Sequence, residues 1–237
     1  MVSFTGWIDG LTATLIILSS VSFGLISLYK SIKLKAKLLS VAGIAMIFVG
    51  FLWLGPTVDL FMVLLTRTNI SPTPVYSILS YLWVAPALVV AMYLGGELIL
   101  PKRKWILVGI FIVLGAIFEY ALWFHTTDSF TWNVDIDPLF TLGEDLIDAS
   151  FVRTHPTFIM VAFFLVALLV FLGIGFFIKA KQSTGELRKK FFYLGFGFTL
   201  FVVCGALDSI IPPGIAIGFV RVVMSTFSIW MYLGLKT

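Results

Sequence analysis

Seven long apolar runs govern what this chain can become. They fall near Leu11–Tyr29, Leu38–Leu54, Tyr76–Leu100, Trp105–Phe124, Phe158–Ile178, Phe191–Ile211 and Gly214–Leu235. A helix needs about 20 apolar residues to cross a hydrocarbon layer about 30 Å thick, so seven crossings use roughly 140 residues. The chain has 237, which leaves short loops and no second domain. Most runs are apolar on every helical face, as lipid-bathed helices are. A β-barrel would need alternating polarity over about ten residues per strand, and no such alternation occurs. With 60% hydrophobic and 12% charged residues, the chain is also not a soluble enzyme, a disordered segment or a disulfide-stapled module. The expected fold is all-α: one polytopic membrane domain over residues 1–237, a bundle of seven transmembrane helices.

The distribution of cations sets the expected orientation. Lys30, Lys33, Lys35 and Lys37 follow the first run; Lys102, Arg103 and Lys104 follow the third; Lys179, Lys181, Arg188, Lys189 and Lys190 follow the fifth; Lys236 follows the last. That is 13 of the 16 basic residues on one side, against Arg67 and Arg153 on the other. Positive loops stay in the cytoplasm, which predicts an outside N-terminus, a cytoplasmic C-terminus and a multi-pass protein of the cell membrane. The same clustering in short loops argues against a nucleic-acid stripe despite the net charge of +4. No Lys or Arg precedes the first run and no small-residue cleavage site follows it, so it reads as an uncleaved anchor. Gly55-Pro56 predicts a bend that carries the second run on through Val58–Leu65, and Pro86 a kink in the third, because proline lacks the N–H of the helical ladder. Glycines in the last three runs, including Gly214 and Gly218, predict close helix approaches. Cys204, the one cysteine, reads as a small core residue.

Residues 126–156 form the one sizeable soluble segment, an acidic outer loop between helices four and five. Thr131–Ile136 alternates as a short strand does, Pro138 and Gly143 mark turns, and Leu146-Ile147 suits the membrane face. A small hairpin or lid over the helix mouths is expected. Asn133, Asp135, Asp137 and Glu144 match positions 1, 3, 5 and 12 of a twelve-residue calcium loop. Pro138, however, occupies the position where that loop requires glycine, and these four are weak metal candidates beside the simpler reading of a solvated acidic loop. His125 and His155 sit at the outer interface, too few for a zinc site. No cofactor is expected.

Ionisable residues within apolar runs are costly and carry the most information. Arg221 lies about 10 Å deep in the last run, taking 1.5 Å per residue. Pro212-Pro213 connect the last two helices tightly, making them antiparallel neighbours and bringing Asp208 within reach of Arg221. Glu119 is a second expected partner. Asp9, Asp59 and His125 lie on the same side, so an outward-opening polar cavity is expected, with Arg221 as an anion anchor. The same residues also fit buried ion pairs that fix helix register. Glu97 is expected to pair with Lys102 or Arg103.

No catalytic set emerges. A retinal protein needs a lysine in its last helix, where this chain has Arg221, and neither a serine elbow nor a three-histidine zinc site can be assembled. Gly205-Ala206-Leu207-Asp208 departs from the glycine-aspartate motif of intramembrane aspartyl proteases at Leu207. A small transporter lacks support from any internal repeat. Glu186–Lys190 ahead of helix six, Gly205–Asp208 near its far end and the acidic loop resemble the seven-helix sensory region of archaeal and bacterial histidine kinases. The resemblance covers about the last 110 residues and implies a receptor-like or sensor-like role. The chain ends at Thr237 without a kinase domain, so output is expected through a partner protein, reached by the cytoplasmic loops or the acidic outer loop. The alternative is a non-catalytic structural or assembly subunit of a membrane complex.

Overall fold

A computed structural model of the protein describes residues 2–236. Among them, seven helices are long and apolar enough to cross a membrane: α1 (Phe4–Leu34), α2 (Lys37–Thr66), α3 (Pro74–Ile99), α4 (Lys104–Phe124), α5 (Pro156–Gln182), α6 (Gly185–Asp208) and α7 (Ile215–Leu235). Each packs on the next in sequence, and α7 closes the ring on α1. The succession places the lysine-rich connections at one end, the basic end, and the 126–156 segment at the other, the acidic end. Large apolar side chains such as Leu18, Ile112, Phe163 and Phe219 are exposed around the girth, the reverse of a soluble domain.

Lipid offers little drive for apolar helices to associate, so close packing depends on small residues. The buried face of α1 is such a seam: Gly6, Gly10, Ala13, Ser20, Gly24, Ser27 and Ser31 recur at helical spacing. A Cβ on Gly24 would lie 2.9 Å from the Gly43 carbonyl of α2, and one on Gly218 only 2.5 Å from Ile8. Gly214, expected in the same seam, has open space around it and a φ of 152°. It shapes the turn into α7 and is not a packing residue.

Four helices are interrupted. In α2 a 3₁₀ turn at Phe51–Trp53 precedes Gly55-Pro56, and the helix continues to Thr66. The Gly55 N–H donates across to Ser80 Oγ of α3 at 3.2 Å. In α3 the ladder breaks at Leu82-Trp83, four and three residues before Pro86, whose missing N–H leaves the Leu82 carbonyl without its helical donor. No proline accounts for the other two. A π-helical stretch, Leu169–Ile174, widens α5. In α7 a turn at Ser225-Thr226 follows Arg221, where both hydroxyls bond back to carbonyls three residues earlier and compete with the ladder. The Ser225 carbonyl accepts from Ser19 Oγ of α1 at 2.7 Å.

The acidic-end segment is folded onto the bundle. β1 (Phe130–Trp132) pairs antiparallel with β2 (Ala149–Phe151). Strand structure therefore stops at Trp132, and Asn133–Ile136 form a helical turn. Tyr81 of α3 lies against Phe130 and Phe151 at ring-centroid distances of 4.8 and 4.7 Å, and Trp132 Nε1 donates to Ser77 Oγ at 2.9 Å. Leu146 and Ile147, expected on the membrane face, are buried; Leu146 joins Val2, Leu60 and Val63 in a small apolar cluster. Ile136, Leu139 and Leu142 are the exposed apolar residues of this segment.

Candidate functional site

The expected group of intramembrane charges divides into two arrangements. In the first, Arg221 of α7 joins three helices. Its Nε donates to Asp208 Oδ1 of α6 at 2.6 Å, and Nη1 donates to Asp9 Oδ1 of α1 at 2.5 Å and to the Asp9 carbonyl at 3.2 Å. Arg221 and Asp9 are buried, whereas the Asp208 side chain keeps 18% exposure. The short connection through Pro212-Pro213 turns α7 back beside α6, which is why residues 208 and 221 meet. The second carboxylate is Asp9, at the other end of the chain, and not Glu119.

The second arrangement centres on Asp59 near the end of α2. Its Oδ1 accepts from the Ile70 N–H at 2.8 Å, and Oδ2 accepts from Asn69 Nδ2 at 2.9 Å and the Ile147 N–H at 2.8 Å. Asn69 extends the clasp, accepting from the Gly143 N–H and donating to the Asp145 carbonyl. One carboxylate thus ties the α2–α3 connection and the acidic-end segment to the bundle. Gly143 has a φ of 75°, and a Cβ there would lie 2.3 Å from the Arg67 carbonyl, so this turn requires glycine.

Between the helices runs a cavity of about 270 Å³. The four interrupted helices and α6 supply its helical walls; the continuous α1 and α4 contribute none of its lining. Tyr76, Ser80, Tyr81, Asp208 and Arg221 lie toward the acidic end, and β2 with Asp148 forms a roof. Beneath them the surface is apolar, with Met46, Leu88, Phe164, Phe198, Phe227 and Met231. The clasp positions this roof: Asp59 holds the Ile147 N–H, and Asn133 Oδ1 accepts from the Asp148 N–H at 2.8 Å. Burial, together with the negative charges of Asp9 and Asp208, pushes the Asp148 carboxyl up to about 6 against the relief given by Arg221.

The remaining expected residues lie elsewhere. Glu119 does not line the cavity; its carboxylate oxygens are buried on α4 and make no hydrogen bond of standard geometry among the described residues. His125 is half-exposed, 3.4 Å from Asp128. Ser129 connects the two histidine segments, donating to the His125 carbonyl and meeting His155 Nδ1 at 3.2 Å. Glu97 pairs with Lys104, not with Lys102 or Arg103.

The calcium-loop candidates do not converge. Asn133 uses Oδ1 on the Val134 and Asp148 N–H groups and Nδ2 on the Leu146 carbonyl, while Asp137 accepts from the Leu139 N–H. Among the described residues no group of three acidic, histidine or cysteine side chains is placed to hold a metal ion, Asp135 and Glu144 included. Sequence reasoning missed Tyr76, Tyr81 and Asp148. Tyr76 and Tyr81 fall within the third apolar run and Asp148 among the acids of the 126–156 segment, so the residue pattern does not single them out.

No protein-family model, curated protein or solved structure matches this chain.

Proposed function

We propose that this is a receptor-like seven-helix membrane protein that admits a small amphiphilic ligand to its interhelical cavity from the acidic end and reports occupancy to a partner protein. The observation that carries the reading is the cavity itself, which joins a charged mouth to an apolar floor and is walled by all four interrupted helices. Interruptions in the hydrogen-bond ladder are places where helices bend, and 3₁₀ and π segments recur at hinges and functional sites. A ligand that fits one arrangement of these walls better than another shifts the population toward it. The break in α7 lies between Arg221 and the basic end, so rearrangement at the mouth has a route along one helix to the lysine-rich loops. In this proposal those loops face the cytoplasm of a cell-membrane protein and are where the partner engages.

The test uses octanol as an uncharged probe on the protein in phosphatidylcholine nanodiscs. Saturable stabilisation against heat is expected, and Ala87→Phe, which fills the cavity beside Leu88, abolishes it. Equal responses in both proteins would assign the effect to the lipid. The second reading, a structural subunit, is favoured by Ile136, Leu139 and Leu142, which expose an apolar patch at the acidic end. Leu139→Glu with Leu142→Glu would then release a co-purifying partner while leaving the octanol response intact.

A further inference from the structure

The sign of the charge at the mouth identifies the ligand class, an inference that rests on the cavity being a ligand site. Read alone, Arg221 suggests an anion. The geometry reverses this, because its guanidinium is already engaged by two carboxylates, Asp9 at 2.5 Å and Asp208 at 2.6 Å. Asp148 then adds a third carboxylate from the roof. Among the described lining residues Arg221 is the sole cation, and the lining holds neither lysine nor histidine. One positive charge thus stands against three negative ones, of which Asp148 and Asp208 face the cavity directly. An anionic headgroup would meet this surplus unscreened in a low-dielectric site.

An independent observation is Tyr76. It is 4% exposed and lines the cavity, yet its hydroxyl has no hydrogen-bond partner among the described residues. It lines the same cavity as Asp148, Asp208 and Arg221. A buried phenol normally finds a partner, and this one is left for what occupies the cavity. Tyr81 and Phe151 add aromatic surface beside Asp148, the surroundings in which ammonium groups are bound against ring faces. The apolar floor accepts the rest of the molecule. The volume of about 270 Å³ lies at the lower edge of the usual range for small-molecule sites, roughly 300–1,000 Å³, which suits a single short chain.

We infer that the cavity takes a cationic amphiphile, an ammonium headgroup held between Asp148, Asp208 and the Tyr76 hydroxyl with a short apolar tail among Leu88, Phe164, Phe198 and Phe227. Three probes of equal chain length separate the contributions: octylamine, octanol and octanoate. Binding is measured by calorimetry on the full chain in phosphatidylcholine nanodiscs, with empty discs subtracted. Octylamine is expected to bind at least about tenfold more tightly than octanol, and octanoate more weakly than either. Asp148→Asn should lower octylamine affinity about tenfold and leave octanol unchanged. Tyr76→Phe should cost octylamine about threefold through one hydrogen bond. Should Asp148→Asn fail to fold, Ser150→Lys places a cation at the same mouth and should have the same effect. Octanoate binding as tightly as octylamine, or an octylamine affinity indifferent to both Asp148→Asn and Ser150→Lys, would overturn the inference. Saturable binding without charge preference would refute the cation while keeping the ligand cavity; no saturable binding of any probe to the folded protein would refute both.

Discussion

Two buried carboxylate sites at the same end of the bundle use similar residues to opposite ends. At Asp59 three donors, two of them backbone N–H groups, take up both oxygens, and the side chain is fully enclosed. At Arg221 two carboxylates share one guanidinium, and Asp208 and Arg221 form part of a cavity wall. The first site has both oxygens engaged and no open side, and it holds chain segments together. The second has surplus charge and an open side. A buried charge therefore says little about function until its partners are counted and compared with the space beside it.

The contrast is tested first by removing each centre. Arg221→Met strands Asp9 and Asp208 together and should cost about 3–5 kcal/mol, as loss of one partner of a buried ion pair does. Adding Asp208→Asn should restore part of that loss, because the surplus carboxylate disappears with its cation. Asp59→Ala leaves the Ile70 and Ile147 N–H groups and the Asn69 amide without their acceptor, at about 3 kcal/mol for the set. No second substitution at the Arg221 site should rescue it. Both series are read from reversible unfolding in mixed micelles. Rescue of Asp59→Ala by Asp208→Asn would mean that the two sites are one network.

A smaller effect follows from Asp148, the residue that the clasp presents to the cavity. Its carboxyl is raised from 3.8 to about 6 in the folded protein. Between those values the folded state keeps a proton that the unfolded chain has released. This contribution to stability is therefore full below about pH 4 and lost as pH rises through about 6. The wild-type thermal midpoint, compared with that of Asp148→Asn, should fall across this interval by an amount equivalent to at most about 3 kcal/mol and then level off. A wild-type midpoint that instead rises relative to that of Asp148→Asn as pH increases would place Asp148 in a favourable ion pair.

Much of this was readable from residue order. Seven apolar runs set the seven helices, and two prolines between helices six and seven were enough to pair Asp208 with Arg221. Asp9 was harder, because only closure of the ring brings residues 212 positions apart into contact. Glu119 sits on α4, which contributes nothing to the cavity wall. Leu146 and Ile147 looked suited to a membrane surface because nothing in a linear pattern reveals that Asp59 draws their backbone inward. The breaks in α2 and α3 were announced by proline. Those in α5 and α7 depend on π-helical widening and serine or threonine back-bonding, for which the residue pattern gave no comparable signal.

The most direct measurement is reagent access to single cysteines in a Cys204→Ser background. Ser80 and Ser77 lie on the same helix and are both buried, but Ser80 lines the cavity whereas Ser77 is bonded to Trp132. If the acidic mouth opens to water and selects cations, Ser80→Cys reacts with aminoethyl methanethiosulfonate, reacts more slowly with its anionic sulfonatoethyl counterpart, and is protected by octylamine. Ser77→Cys reacts with neither. A Ser80→Cys protein as inert as Ser77→Cys, or one modified faster by the anion, would contradict the account.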